Sequence, residues 1–153
     1  RKRIQEDSIE NTVKLIRDAG INVGANYIFG LPEDNHETMQ KTLDLALNLN
    51  TEWANFYCAM AYPGSPLYTR ALQEGWELPG EWHGYSQHSF ETQPLPTKYL
   101  PAAEVLRFRD EAFNTYFKNP AYIDLIDKKF GQEAKKEVEA MTKTELPRRL
   151  LLT

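Results

Sequence analysis

The sequence predicts an α/β fold in which two β-α units follow one another in a parallel sheet. Two apolar runs, residues 24–32 and 54–62, each end at a turn rich in glycine and proline, as strands of a sheet commonly do. Each turn is followed by a segment that is typical of the start of a helix. Because ligands gather at the carboxyl ends of parallel strands, we expect the functional site at these two junctions.

The first half of the chain, residues 1–75, contains both units. Residues 9–19 carry apolar side chains at helical spacing, and Gly20 is suited to end this helix. The predicted order continues with a strand over residues 21–29, a helix over 37–49, a strand over 54–61 and a helix over 66–74. Ser65 is placed to cap the last of these helices, and Pro66 suits its first turn.

The second half has a different character. Residues 76–100 are rich in tryptophan, proline, glycine and histidine, which indicates an irregular connector. Residues 101–153 are predicted to form a helical extension, with Asn119 and Pro120 starting a new helix that Gly131 ends. The sequence therefore divides into β/α units, a connector and a carboxyl-terminal helical part.

Composition limits the possible functions. The 153 residues suffice for one domain with a core, but a closed eight-stranded barrel needs about 250. A net charge of −4 with interspersed signs disfavours nucleic-acid binding. No apolar stretch approaches the length of a membrane span, and no signal peptide precedes the first helix. Cys58 is the only cysteine, which fits a reducing cytoplasm.

Polar residues inside the predicted strands are the main candidates for a site. Alternate residues of a strand share a face, so Asn26, Ile28 and Gly30 lie together in the first strand, as Asn55 and Tyr57 do in the second. A buried amide needs hydrogen-bond partners, so the two asparagines either line a polar interior or bond only to each other or to water. Gly30 lacks a Cβ and would let a ligand approach the backbone.

Other common sites lack support in this sequence. The three histidines have no spacing that suits a metal pair, and neither a P-loop nor a GxGxxG pattern occurs. Cys58 is expected to be a core residue rather than a nucleophile. No metal site is predicted and no catalytic residue is assigned, although Cys58, Tyr57 and Tyr62 are worth testing.

Four ordered segments resemble radical S-adenosylmethionine enzymes, most of all the group with an amino-terminal cobalamin-binding domain. They are residues 16–21 (IRDAGI), 27–32 (YIFGLP), 42–46 (TLDLA) and 62–68 (YPGSPLY). The resemblance covers about residues 1–75. It implies that the chain is the carboxyl-terminal part of a partial (β/α)6 barrel, similar to a TIM barrel, followed by a helical extension.

The resemblance also implies cofactors and site residues. The fifth strand of such a barrel carries a Gly-x-Ile-x-Gly-x-x-Glu pattern against the adenine of S-adenosylmethionine. Here the pattern falls on Asn26, Ile28, Gly30 and Glu33, with Asn26 in place of the first glycine. Asn55 and Tyr57 would face the barrel interior near cofactor or substrate.

One cysteine cannot supply the CxxxCxxC motif that holds the 4Fe–4S cluster of this family. The resemblance therefore implies that the cluster ligands lie in an amino-terminal remainder of the same polypeptide, with cobalamin in a domain further upstream. The chain alone is then not catalytic, and neither reaction nor substrate follows. Its unpaired strand edges are expected to cause dimerisation.

Two alternatives stay open. The chain could be a small α/β interaction module without catalysis that binds a protein through its helical half. It could also be a fragment of an unrelated β/α-barrel enzyme.

Overall fold

The computed structural model describes residues 6–152, with side chains from residue 8 onward. Its elements are α1 (Glu6–Asp18), β1 (Gly24–Phe29), α2 (His36–Leu49), β2 (Trp53–Cys58), α3 (Pro66–Gln73), a 3-10 turn (Trp82–Tyr85), α4 (Ala102–Phe117), α5 (Pro120–Met141) and a second 3-10 turn (Arg149–Leu151). Within this part of the chain, the only sheet is the pair β1 and β2.

The α/β prediction is confirmed. The strands β1 and β2 run parallel, with Asn26 opposite Asn55 and Ile28 opposite Tyr57. Both are shorter than predicted: β1 begins at Gly24 and β2 ends at Cys58. The connector over residues 76–100 is irregular apart from one 3-10 turn.

Two helices cover one face of the strand pair. Met39, Leu43 and Ala46 of α2 pack there with Tyr27 and Phe29 of β1, and α4 contributes Ala112, Tyr116 and Phe117. The ring of Phe56 stacks on Tyr27 and Phe29 at centroid distances of 5.4 and 5.9 Å. Phe56 also meets Tyr116 edge-on at 5.4 Å. Such aromatic pairs contribute about 0.5–1.5 kcal/mol each beyond the area that they bury.

The helix that packs against β2 is α4 rather than α3, which follows β2 directly. Within α3 only Ala71 is buried, in a small separate cluster with Leu95 and Ala61. The helix α5 extends the core through Tyr122, Ile126 and Val138, and Gly131, with φ of 86°, kinks it. The backbone of Gly131 is not helical, so α5 consists of two helical segments that meet there, and the predicted helix end at Gly131 is confirmed.

A buried carboxylate fixes the amino ends of the strands. The side chain of Glu52, only 4% exposed, accepts hydrogen bonds from Arg17 at 3.2 Å and from Lys129 at 2.8 Å. It also accepts the backbone N–H of Val23 at 2.9 Å. The same Arg17 donates to the last carbonyls of α2. One carboxylate thus joins α1, the entry to β1 and α5.

We predict that Glu52 stabilises the fold in a pH-dependent way. Burial alone would raise its pKa, but hydrogen bonds from Lys129 and the Val23 amide, with the charge of Arg17, lower it from 4.5 to about 2. The stabilisation is complete above pH 4.5 and is lost as the pH falls towards 2. Glu52→Gln should lower the free energy of unfolding at pH 7 by about 2–3 kcal/mol in urea titrations.

The difference between wild type and Glu52→Gln should shrink below pH 4. Glu74→Gln is the control, because Glu74 pairs with Arg70 on the surface and exposed pairs contribute little. Equal effects of the two substitutions, or a pH-independent effect of Glu52→Gln, would contradict the role of this carboxylate.

We also predict that three buried tyrosines differ in their need for a hydroxyl group. Among the described side chains, the Tyr27 hydroxyl is the one buried polar atom without a partner. In contrast, Tyr116 donates to the Thr51 carbonyl at 2.7 Å and Tyr122 to the Glu52 carbonyl at 3.1 Å. Tyr27→Phe should therefore be neutral or stabilising, whereas Tyr116→Phe should cost about 1 kcal/mol. Thermal denaturation of the three single variants checks this order.

Candidate functional site

The face of the strand pair opposite α2 and α4 is the candidate site. It carries Asn26 and Ile28 from β1 and Asn55 and Tyr57 from β2, all exposed or half-buried. Parallel sheets normally have both faces covered. The structure thus brings four of the six predicted residues together on a surface that none of the described residues covers.

A short chain of amide hydrogen bonds crosses this face. The indole N–H of Trp53 donates to Asn55 Oδ1 at 3.1 Å, and Asn55 Nδ2 donates to Asn26 Oδ1 at 2.9 Å. The two asparagines therefore bond to each other, which was one of the two possibilities predicted from sequence. Within the described residues the Asn26 amide nitrogen makes no hydrogen bond, so it can donate to a ligand.

Apolar side chains flank the amides. Ile28 is 48% exposed and Trp53 is 44% exposed. At the carboxyl end of the strands, Leu31 and Tyr62 are also about half exposed. An apolar surface interrupted by a few amide groups suits a flat heterocycle, because it offers stacking or van der Waals contact together with directional hydrogen bonds.

Gly30 and Glu33 lie apart from these four residues. Gly30 is buried with φ of +77°, and a Cβ there would lie 2.3 Å from Cγ1 of Val105. The space beside this glycine is thus filled by α4. Glu33 is exposed and pairs with Lys98 at 3.6 Å. After Gly30 the chain leaves the strand and turns towards α4, which separates both residues from the exposed face.

Sequence reasoning missed three residues at the outer edge of β2. The Gln87 side chain binds the N–H of Cys58 at 2.9 Å and its C=O at 3.1 Å. Arg109 donates to the Phe56 carbonyl at 2.8 Å, and Arg148 lies behind both with 1% of its side chain exposed. Because these contacts span 29 or more sequence positions, no local pattern could reveal them.

A cleft of about 990 Å³ adjoins the candidate face. One wall is β2, including Trp53, Asn55 and Tyr57, and the other walls are α4 and the segment after α5. Arg107 of α4 and Lys118, directly after α4, line it as well. The volume lies within the range typical of small-molecule sites, about 300–1,000 Å³, so a ligand on the candidate face has room to extend around the edge of β2.

The described residues offer neither a reactive thiol nor a group of metal ligands. Cys58 is 3% exposed, and burial raises the pKa of its thiol to about 12, so the reactive thiolate is scarce at neutral pH. In residues 8–152 no three side chains of histidine, cysteine, aspartate or glutamate are grouped to hold a metal ion.

None of the helices of residues 6–152 has the length and apolar character needed to cross a membrane.

Comparisons with known proteins find distant relatives. The chain is 22% identical over 110 residues to an uncharacterized methyltransferase of Pyrococcus horikoshii, a match that covers 72% of this chain. It is 28% identical over 107 residues, or 70% of the chain, to the anaerobic magnesium-protoporphyrin IX monomethyl ester cyclase of Cereibacter sphaeroides. The enzyme of the same name from Rubrivivax gelatinosus is 25% identical over 122 residues, or 78% of the chain.

These matches extend through much of the chain but cover little of the relatives. The matched region spans 23%, 16% and 21% of the methyltransferase and the two cyclases, respectively. No family model matches the chain. The relatives are enzymes by name, and the chain resembles about a fifth of each.

We predict that the two asparagines are dispensable for folding. Valine suits strands better than asparagine, and replacing both asparagines leaves no unpaired amide. The Trp53 indole N–H loses its acceptor, but this side chain is exposed, so water can replace the lost bond. The double variant Asn26→Val/Asn55→Val should therefore unfold within about 0.5 kcal/mol of wild type, or be more stable. Urea titration measures this, with Tyr116→Phe as the reference for loss of a buried hydrogen bond. A loss of more than about 1 kcal/mol would make the pair structural.

Proposed function

We propose that this chain is the carboxyl-terminal part of a cytoplasmic radical S-adenosylmethionine enzyme, with β1 and β2 as the last two strands of a partial (β/α)6 barrel. The observation that carries the proposal is the uncovered face of Asn26, Ile28, Asn55 and Tyr57, opposite a face packed against α2 and α4. In a β/α barrel the helices lie outside and the other face lines the interior. The uncovered face is then the interior, where cofactor and substrate bind.

The residues of this face fit an adenosyl group. Ile28 offers an exposed aliphatic surface next to the Asn26 amide, whose nitrogen is available as a donor. In this assignment Asn26 and Ile28 contact the adenine, while Asn55 and Tyr57 lie towards cofactor or substrate. Gly30 contributes through the turn that brings α4 against the strands. Glu33 has its own partner in Lys98 and is not needed for adenosyl binding.

The 4Fe–4S cluster would be held elsewhere. A CxxxCxxC site needs three cysteines, and this chain has only the buried Cys58. The proposal therefore assigns the cluster, which supplies the electron that cleaves S-adenosylmethionine, to an amino-terminal remainder of the polypeptide. Cobalamin, if it is used, would bind in a domain upstream of the barrel. Because a methyltransferase and a cyclase carry out different reactions, the proposal names neither reaction nor substrate.

The edge of β1 offers a place for the remainder to attach. The N–H groups of Trp53 and Ala59 donate to the carbonyls of Val23 and Phe29, so alternate residues of this segment face β2. By the same alternation the backbone groups of Asn26 and Ile28 point away from β2, and none has a partner within the described residues. A preceding barrel strand would pair there, and a second copy of the isolated chain would compete for the same edge.

The first experiment is to sequence the reading frame upstream of Arg1. We expect a CxxxCxxC motif there. The longer polypeptide, reconstituted anaerobically with iron and sulfide and supplied with a one-electron reductant such as dithionite, should cleave S-adenosylmethionine to methionine and 5′-deoxyadenosine. The 153-residue chain alone should not. A start codon at or just before Arg1 would overturn the proposal.

Binding to the longer polypeptide tests the residue assignment. Asn26→Val should raise the dissociation constant for S-adenosylmethionine about fivefold to tenfold, because it removes one amide donor. Glu33→Gln is the matched control and should change it little, because Glu33 pairs with Lys98. Calorimetric titration of both variants gives the comparison. A larger effect of Glu33→Gln would restore the family pattern at that position and refute this assignment.

The alternative of an interaction module has one observation in its favour. Leu15 and Ile21, which precede β1 in the sequence, are 69% and 58% exposed, and the outward backbone groups of β1 have no partner within the described residues. Such a surface suits a protein partner. The upstream sequence distinguishes this alternative from the enzyme.

A further inference from the structure

We propose that Gln87 substitutes for a neighbouring strand along β2, and that Arg148 holds it there. A strand neighbour would engage the outward N–H and C=O groups of alternate residues. The Gln87 amide does this for Cys58, accepting its N–H at 2.9 Å and donating to its C=O at 3.1 Å. One residue pair earlier, Arg109 donates to the Phe56 carbonyl at 2.8 Å. The carboxyl half of this edge is thus closed by side chains.

Arg148 uses its whole guanidinium group to fix the segment that carries Gln87. Its Nε and one Nη bind both carboxylate oxygens of Asp110, each at 2.9 Å. The remaining N–H groups reach the carbonyls of Gln87 and Ser89 at 3.1 and 2.9 Å and the Thr92 hydroxyl at 2.9 Å. All five donors of this guanidinium therefore have an acceptor. Buried groups that are satisfied in this way strongly specify one arrangement.

The same carboxylate connects this contact to α4. Asp110 also accepts a hydrogen bond from Arg109 at 2.8 Å, and the Arg109 side chain is 4% exposed. Two buried guanidinium groups thus share one carboxylate. Arg109 also binds a backbone carbonyl of β2, and Arg148 binds two backbone carbonyls of the connector. Removal of Arg148 would leave the carbonyls of Gln87 and Ser89 without this donor and Asp110 with a single cation.

The consequence concerns the candidate site. Tyr57 lies between Phe56 and Cys58, the two residues whose outward groups are held, and its side chain is on the uncovered face. Gln87 and Arg148 are therefore positioning residues. Gln87 fixes the carboxyl end of β2 along its outer edge, and Arg148 holds Gln87 in place. This last step, the relevance to a ligand near Tyr57, rests on the proposed function. The closure of the β2 edge does not.

Amide hydrogen exchange in the 153-residue chain tests the closure directly. Gln87→Met keeps the length of the side chain but removes both hydrogen bonds, so exchange at the Cys58 amide should accelerate about tenfold. The neighbouring Ala59 amide, bonded to the Phe29 carbonyl at 2.8 Å, should exchange as in wild type. Gln73→Met, on the exposed surface of α3, is the control and should change neither amide.

A second pair of variants tests the role of Arg148. Arg148→Met should also accelerate exchange at Cys58, whereas Arg149→Met, at an exposed neighbour, should not. If Arg148→Met prevents folding, exchange at the Cys58 amide in Gln87→Met alone tests the closure of the β2 edge. Unchanged exchange at Cys58 in Gln87→Met, or equal acceleration at Ala59, would overturn the proposal. Because no cofactor enters this measurement, its outcome is independent of whether the chain belongs to a radical S-adenosylmethionine enzyme.

Discussion

The packing of α4 on the strand pair is the constraint on which the rest of the structure depends. Val105 lies against Gly30 at the carboxyl end of β1, and Tyr116 reaches Thr51 before β2, so α4 runs antiparallel to the strands. Along this path it supplies the rings that surround Phe56 and the guanidinium that binds the edge of β2. A shift of α4 would therefore disturb core, turn and edge together.

Each end of the strand pair is held by one carboxylate that binds two cationic side chains. At the amino ends, one buried carboxylate, that of Glu52, gathers cations from α1 and α5. Behind the carboxyl half of β2, one carboxylate, that of Asp110, gathers two arginines and through them the irregular connector. Buried charges are tolerated only when they are paired. Both clusters meet this condition, with partners distant in sequence except for the adjacent Arg109 and Asp110. The uncovered face between them carries no buried charge and is free for ligand contacts.

Local patterns predicted most of the elements and part of the site. Helical spacing and turn residues located α2 and both strands, and strand alternation placed Asn26, Ile28, Asn55 and Tyr57 on one face. Contacts between residues distant in sequence determine the surroundings of Gly30 and Glu33, which local patterns could not predict. The lack of a Cβ at Gly30 is explained by Val105, 75 positions later, and Glu33 is engaged by a lysine from the connector. The helix that packs on β2 is α4, beyond the connector, rather than α3, which follows β2 directly and buries only Ala71.

The two edges of the sheet differ in how their backbone groups are protected. Independent small sheets protect their edges with charges, proline, bulges or covering segments. The edge of β2 has such protection from Gln87 and Arg109. In contrast, β1 reads GANYIF, without a charged residue or a proline, and its outward backbone groups lack partners in the described residues. Within the described residues the sheet is thus closed along β2 only and uncovered on one face, which agrees with the proposal that a preceding strand pairs with β1. The same geometry explains why the amide-bearing face carries polar groups that the core does not need.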